Sequence, residues 1–435
     1  MTDAEAADLS IERPAHGGHF VARHEGRVVF VRHALPGEMV RVHFTGTDDD
    51  ASFWRADVVE VLEASPHRVR HPWFPADALR AAAEGRSAVG GAEFGHIDLA
   101  EQRRLKALVV EEQLTRLGGI DRSVTVEAAP GERADGLGWR TRTAFAVDAS
   151  GRLAMHLHRS SELRPVREML LAVDAINALG LWKLDLTGIE RVDVAAPSGG
   201  GAPLVLLVPA AGTHPRRLAS VAAGIHGASV GVLDRDSGAV QRLTGRTWLS
   251  ESVRGIDYRV TGAGFWQIHR SAPVALVTAV LDGLQPAAGE RVADLYAGAG
   301  LFTVPLARAV GPQGTVLSVE GSPGTSRDAK RNLHGQDSVS IVEGRVDAVL
   351  SRWREPLDVV LLDPPRAGAG RRVVRQITDA RPRAVGYVSC DPASFARDLA
   401  YFLGAGWTLD SLRVFDLYPH THHLESFARL LPPPA

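Results

Sequence analysis

The chain carries one cysteine, Cys390, and its surroundings mark it as a reagent. A lone thiol excludes an intramolecular disulfide, a multi-cysteine zinc site and a cysteine-ligated iron–sulfur cluster. It is then either apolar filler or a nucleophile. Cys390 ends the apolar run Tyr387-Val-Ser and precedes Asp391-Pro-Ala, where a helix is expected to begin near Ala393. That puts the thiol at the carboxyl end of a strand and ahead of a helix N-terminus, a setting expected to favour the thiolate. Leu361-Leu-Asp363-Pro-Pro-Arg366 ends a neighbouring expected strand, so Asp363 enters the same crevice and the two prolines stiffen the exit. Farther on, His420-Thr-His-His-Leu-Glu425-Ser leads into a final strand and supplies Glu425 as a candidate base. The histidines are not expected to hold a metal: His422 and His423 adjoin, and adjacent strand residues face opposite ways.

A second motif suits a cofactor. Asp294-Leu-Tyr296-Ala-Gly298-Ala-Gly300 follows a short apolar strand, where an open α/β sheet binds its ligand. Gly298 and Gly300 permit a tight turn and close backbone approach, but the third glycine of a dinucleotide fingerprint is missing. Glu320 ends the next strand roughly 20 residues on, where an acidic side chain accepts hydrogen bonds from both ribose hydroxyls. An unphosphorylated ribose fits, as in NAD or S-adenosylmethionine.

The elements that must position these groups fall into three regions. Residues 1–64 read as a small β-unit: His19 to Arg23, Arg27 to Val31, Met39 to Phe44 and Trp54 to Leu62 alternate between turn signals at Gly26, Gly37 and Gly46. Four or five such strands suggest a closed barrel of the oligonucleotide-binding type. Residues 65–264 form a central α+β region. It opens with an aperiodic stretch, then a helix over 97–117 with Leu99, Leu105, Leu108, Val109 and Leu114 on one side, which could pack on the catalytic domain. Pro197-Ser-Gly-Gly-Gly-Ala-Pro203 reads as a hairpin loop between strands. Residues 265–435 alternate strand and helix, the pattern of a doubly wound, Rossmann-like α/β domain. With 45% hydrophobic and 23% charged residues the composition is that of a globular protein. The polar start, Met1 to Ser10, has no apolar signal core, and no apolar run is long enough to span a bilayer, so a cytoplasmic location without membrane contact is expected. A net charge of −2 means that any basic footprint for nucleic acid is local.

Together these residues resemble the family of RNA uracil-5 methyltransferases, which make 5-methyluridine in tRNA or 23S rRNA. The matching stretches are Phe265-Trp-Gln267, Asp294 to Gly300, Glu320, Asp363-Pro-Pro-Arg-Ala-Gly368, Ser389-Cys-Asp-Pro392 and Pro419 to Glu425, in the family's order. The N-terminal barrel looks like the RNA-binding module called TRAM. The resemblance implies S-adenosylmethionine-dependent methylation of uridine carbon 5 in 23S rRNA or tRNA, by a protein acting as a monomer. Cys390 would attack carbon 6 and Glu425 would remove the carbon-5 proton. Gln267, Tyr296, Gly298, Gly300, Glu320 and Asp363 match cofactor contacts, and Asp363 also reaches the uracil. Phe265 would stack against RNA, and Arg140 and Arg142 would hold phosphates. Arg366 stands where methyltransferases of exocyclic amines carry an aromatic residue, which argues against N-methylation.

The chain departs from the family pattern in three places. Many relatives hold an iron–sulfur cluster on four cysteines; here the stretch reads His71-Pro-Trp and Val89-Gly-Gly-Ala-Glu, so no cluster is expected. Leu301 and His269 stand where many relatives have asparagine. Three rival readings remain. A cytosine-5 methyltransferase would need an acid to protonate the ring and a differently placed cysteine. A non-catalytic RNA-binding factor would be free to lose Cys390 or Glu425. An NAD-linked oxidoreductase would need hydride-transfer chemistry that nothing here supplies.

Overall fold

The computed structural model describes residues 6–47, 51–158 and 160–434, so residues 1–5 of the polar start lie outside it. Five strands, β1 (Ala6–Ala15), β2 (His19–His24), β3 (Arg27–Arg32), β4 (Met39–Gly46) and β5 (Phe53–Glu63), close into a barrel in the order β1-β2-β3-β5-β4. Alternation drives closure. Val29 and Val31 of β3, Val40 and Val42 of β4, and Ala56 and Val58 of β5 all point inward beside Phe20 and Ile11.

The aperiodic stretch that follows is held by polar contacts reaching both neighbours. Glu38 of the barrel is fully buried, and its carboxylate takes Arg68 (2.6 Å) and the Leu35 amide (2.8 Å). His71 donates to the Ala92 carbonyl (2.9 Å) and accepts from the Trp73 amide (3.1 Å). Gly95 lies flat on the His71 ring: a Cβ there would sit 2.3 Å from Nε2. The Phe94 amide donates to the His420 carbonyl (2.9 Å), which ties this stretch to the catalytic loop.

The helix spans Leu99–Gln113 and ends in a wider turn over Leu114–Gly118. Its buried face differs from the apolar stripe expected. Leu108 is 37% exposed, whereas Gln102 and Lys106 are buried with Leu105, Val110 and Leu114. Polar burial succeeds because partners exist: Lys106 donates to Asp416 (2.5 Å) and to the Tyr418 carbonyl (3.1 Å). Val110 and Leu114 share a core with Phe395 and Leu399, so the helix packs on the catalytic domain.

The central sheet has seven strands, in the order Val240–Thr244, Ser229–Leu233, Leu204–Pro209, Ile189–Ala195, Arg142–Val147, Leu153–His156 and Leu163–Pro165. The glycine-rich Pro197 to Pro203 stretch joins two antiparallel neighbours as a hairpin loop. The catalytic sheet has eight, in the order Val339–Glu343, Thr315–Glu320, Arg291–Leu295, Val359–Leu362, Ala384–Ser389, Glu425–Leu431, Thr408–Asp416 and Val126–Ala128. The first five in this order run parallel, with helices between them in sequence. The chain reverses its build direction between Arg291–Leu295 and Val359–Leu362. Such a switch point opens a crevice at the carboxyl ends of the strands. No helix among the described residues is long and apolar enough to cross a membrane.

Candidate active site

Strand register brings the chemistry together. Leu295 pairs with Leu362, so Tyr296 and Asp363 leave adjacent strands side by side at the switch point. Leu362 pairs with Tyr387 on the next strand, which ends at Ser389 just before Cys390. The following strand is antiparallel, and Ser389 pairs with Ser426. Cys390 therefore leaves its strand where Glu425 enters its own. Three residues far apart in sequence meet at one sheet edge.

Their protonation follows from burial and mutual repulsion. Burial, with the Glu425 and Asp363 carboxyls facing it, pushes the Cys390 thiol up to about 12; Arg366 pulls the other way. Burial raises Glu425 to about 7 against the pull of the Tyr418 hydroxyl and Arg366. Burial, then Glu425 and Asp294, hold Asp363 well above the usual carboxyl range. The thiolate expected from the helix N-terminus is thus not the resting form. Asp391 caps that helix, accepting from the Ser394 amide (2.8 Å), and brings a carboxylate where the thiolate would gain. Burial works to raise Asp391, but His16 and the Ser394 amide hold it down at about 2.

Tyr418 was not evident from the sequence. It is buried, and its hydroxyl donates to Glu425 Oε1 (2.8 Å). Tyr387 and Asp398 brace the Asp363 loop: Asp398 accepts from the Tyr387 hydroxyl (2.8 Å) and from the Ala369 and Gly370 amides.

The cofactor side has the features of a ligand cradle. Tyr296, Gly298 and Gly300 have φ of 65°, 57° and 88°, so the turn is left-handed at all three. A Cβ on Gly298 would meet nothing within 4 Å, leaving that backbone face open. Glu320 Oε2 accepts from the Gly298 amide (2.8 Å) and Oε1 from the Ser322 amide (2.6 Å), which aims the carboxylate along the turn with lone pairs to spare for a diol. Asp294 is fully buried with Oδ1 unpartnered and is raised to about 7 by burial. Gln267 is buried two residues after Phe265, which is 63% exposed.

The other expected residues divide. Arg142 is no surface grip: it donates to the Gly264 carbonyl (2.7 Å), and its Nε and Nη2 are buried without a partner. It lines a cavity of about 380 Å³ with Arg140 and Arg191, against Ile268. Burial lowers Arg142 to about 10. His422 and His423 do not diverge as adjacent strand residues would. They precede the strand, and their rings lie 4.0 Å apart. Glu93 binds both the ring and the backbone amide of His422, and burial pushes His423 down to about 3.

Known proteins match along the whole chain. Models of the tRNA (uracil-5-)-methyltransferase family and of the TRAM domain match residues 345–431 and 5–49, and one of protein-L-isoaspartate O-methyltransferases matches 251–351. An RNA methyltransferase of Streptomyces avermitilis is 41% identical over 98% of both chains, and one of Bifidobacterium longum is 40% identical over 97% of this chain and 96% of its own. The chain belongs to the RNA uracil-5 methyltransferase family. The 23S rRNA (uracil(1939)-C(5))-methyltransferase RlmD of Shewanella piezotolerans is 28% identical over 97% of this chain and 94% of its own. The tRNA (uracil-54, C5)-methyltransferase of Pyrococcus abyssi shares the fold, with a TM-score of 0.73 at 20% identity over 99% of this chain and all of its own. As a member of this RNA methyltransferase family the chain takes S-adenosylmethionine as methyl donor. The two departures from the family's asparagines serve packing here. Leu301 is buried and its carbonyl accepts from Tyr258 (3.0 Å); His269 stacks on Trp139, held neutral by burial at about 4.

Proposed function

We propose that this methyltransferase adds its methyl group to carbon 5 of a uridine in RNA, through a transient bond between Cys390 Sγ and carbon 6. The convergence of the only thiol with Glu425 and Asp363, at a switch point that also carries the cofactor turn, supports this reading most. Carbon 5 of uracil is a weak nucleophile. Cys390 gives up its proton to solvent as the site fills, and attack of the resulting thiolate on carbon 6 moves the ring electrons onto carbon 5 and the carbonyl oxygen as an enolate. S-adenosylmethionine, when bound, supplies an electrophilic methyl group and a positive sulfonium, a charge that favours the ionised forms of the acids around it. Tyr296, Gly298, Gly300, Glu320, Gln267 and Asp363 would hold it. After the methyl group is on carbon 5, the Glu425 carboxylate takes the carbon-5 proton. The electron pair reforms the ring double bond and expels the Cys390 thiolate.

A carboxyl near 7 suits that role, being both ionised and basic at neutral pH. Because Glu425 acts only when ionised, kcat/KM, which reports the free enzyme, should rise with pH through about 7. Removing the Tyr418 hydroxyl takes a hydrogen bond from the ionised form and raises the Glu425 pKa further. Tyr418→Phe should therefore move the acid limb of the kcat/KM profile to higher pH. An unmoved limb would separate Tyr418 from the base.

Exposed Phe265 offers a face on which an unstacked base can lie, and the cavity lined by Arg140, Arg142 and Arg191, with Asp193 paired to Arg191, offers cationic groups to a phosphate. Full-length similarity to a 23S rRNA enzyme makes that RNA the first to assay, with tRNA second. The test incubates the enzyme with labelled S-adenosylmethionine and each transcript, then digests the RNA to nucleosides for mass spectrometry. Labelled 5-methyluridine is expected. Labelled 5-methylcytidine would overturn the uracil assignment in favour of cytosine, and RNA binding without label would favour a non-catalytic factor.

A further inference from the structure

We propose that the first hairpin turn of the barrel, His16-Gly17-Gly18, is a positioning element of the active site. It touches both catalytic loops at once. His16 Nε2 donates to Asp391 Oδ2 (3.0 Å), while Asp391 Oδ1 accepts from the Ser394 amide (2.8 Å). Each oxygen of the residue following the nucleophile therefore has its own partner, one on the helix and one on the barrel. The Cys390 turn is fixed from two sides.

The other contact is steric. Gly17 and Gly18 have φ of 83° and 79°, a pair of left-handed residues that only glycine adopts cheaply. Gly18 is buried against the loop that leads to Glu425: a Cβ there would fall 3.0 Å from His422 Nδ1 and 3.2 Å from His422 Cβ. His422 is in turn bound through its backbone amide to Glu93 (3.0 Å). Arg13, at the end of β1, anchors the hairpin to Glu112 of the long helix (2.9 Å). The hairpin thus spans the nucleophile's turn and the base's loop, and in this protein the barrel helps to set their spacing as well as to bind RNA.

The inference rests on Cys390 as nucleophile, and the experiment keeps the two apart. In the full-length enzyme at saturating donor, His16→Ala should lower kcat about tenfold with the KM for RNA unchanged, because a misplaced nucleophile costs rate and not affinity. His16→Gln, which keeps a donor, should restore most of the loss. In a cycle with Asp391→Asn the two effects should not add, since both break one contact. If His16→Ala lowers the melting temperature, His16→Phe takes its place, keeping the bulk of the ring without its donor. Unchanged kcat, a rise in KM alone, a loss that glutamine does not restore, or additive effects would each overturn the proposal. Wild-type turnover by Cys390→Ala would instead remove the reading beneath it.

Discussion

Cys390→Ala should leave a folded protein that binds S-adenosylmethionine and RNA and transfers no methyl group, a loss of about 10⁴-fold or more in kcat. The reason lies in the substrate: without a bond at carbon 6, carbon 5 has no enolate behind it, and positioning alone does not make it attack a sulfonium. Removing the thiol costs the fold little, because Cys390 is partly exposed at the sheet edge and has no role in the packed layers beneath it. Donor affinity, measured by calorimetry, should change little, since the turn and Glu320 are untouched. Retained turnover would end the covalent reading.

Glu425→Gln should give a different failure. Attack and methyl transfer do not need the carboxylate, so the reaction should run forward to the methylated adduct and stop, its release slowed about 10²–10⁴-fold. The adduct should appear in denaturing gels as a slow band containing both RNA and protein, and Cys390→Ala in the same chain should abolish it. Glutamine keeps the side-chain volume and can still accept from Tyr418, so the buried site need not rearrange. Lost activity without the band would move the base elsewhere.

Much of this arrangement was legible in the sequence, for identifiable reasons. The barrel strands announce themselves by alternation between glycine turns, and the long β1 (Ala6–Ala15) alone lacks such a signal. Asp363 and Cys390 follow short apolar strands, a pattern that fixes their depth in an α/β sheet. Pairing of strands is what periodicity cannot give. Tyr418 on Glu425, His16 on Asp391 and Glu93 on His422 join residues from 7 to 375 positions apart. Lys106 and Gln102 break the apolar stripe of their helix because partners at the end of a distant strand and on the loop after it make their burial tolerable. The expectation of a resting thiolate failed for a related reason: burial disfavours the charge, two acids crowd the thiol from other strands, and the helix end that would have stabilised it is already occupied by Asp391.

The solitary thiol also bears on oxidative chemistry. A sulfenic acid is usually rescued by a second cysteine that condenses with it, and this chain has none to offer. Recovery of an oxidised enzyme would depend on a small thiol entering from solution. The protonated resting state works in the other direction, because peroxides react with thiolates. A nucleophile that stays protonated between turnovers is spared, and the burial that, with the carboxyls beside it, makes Cys390 a reluctant acid also shields it from damage.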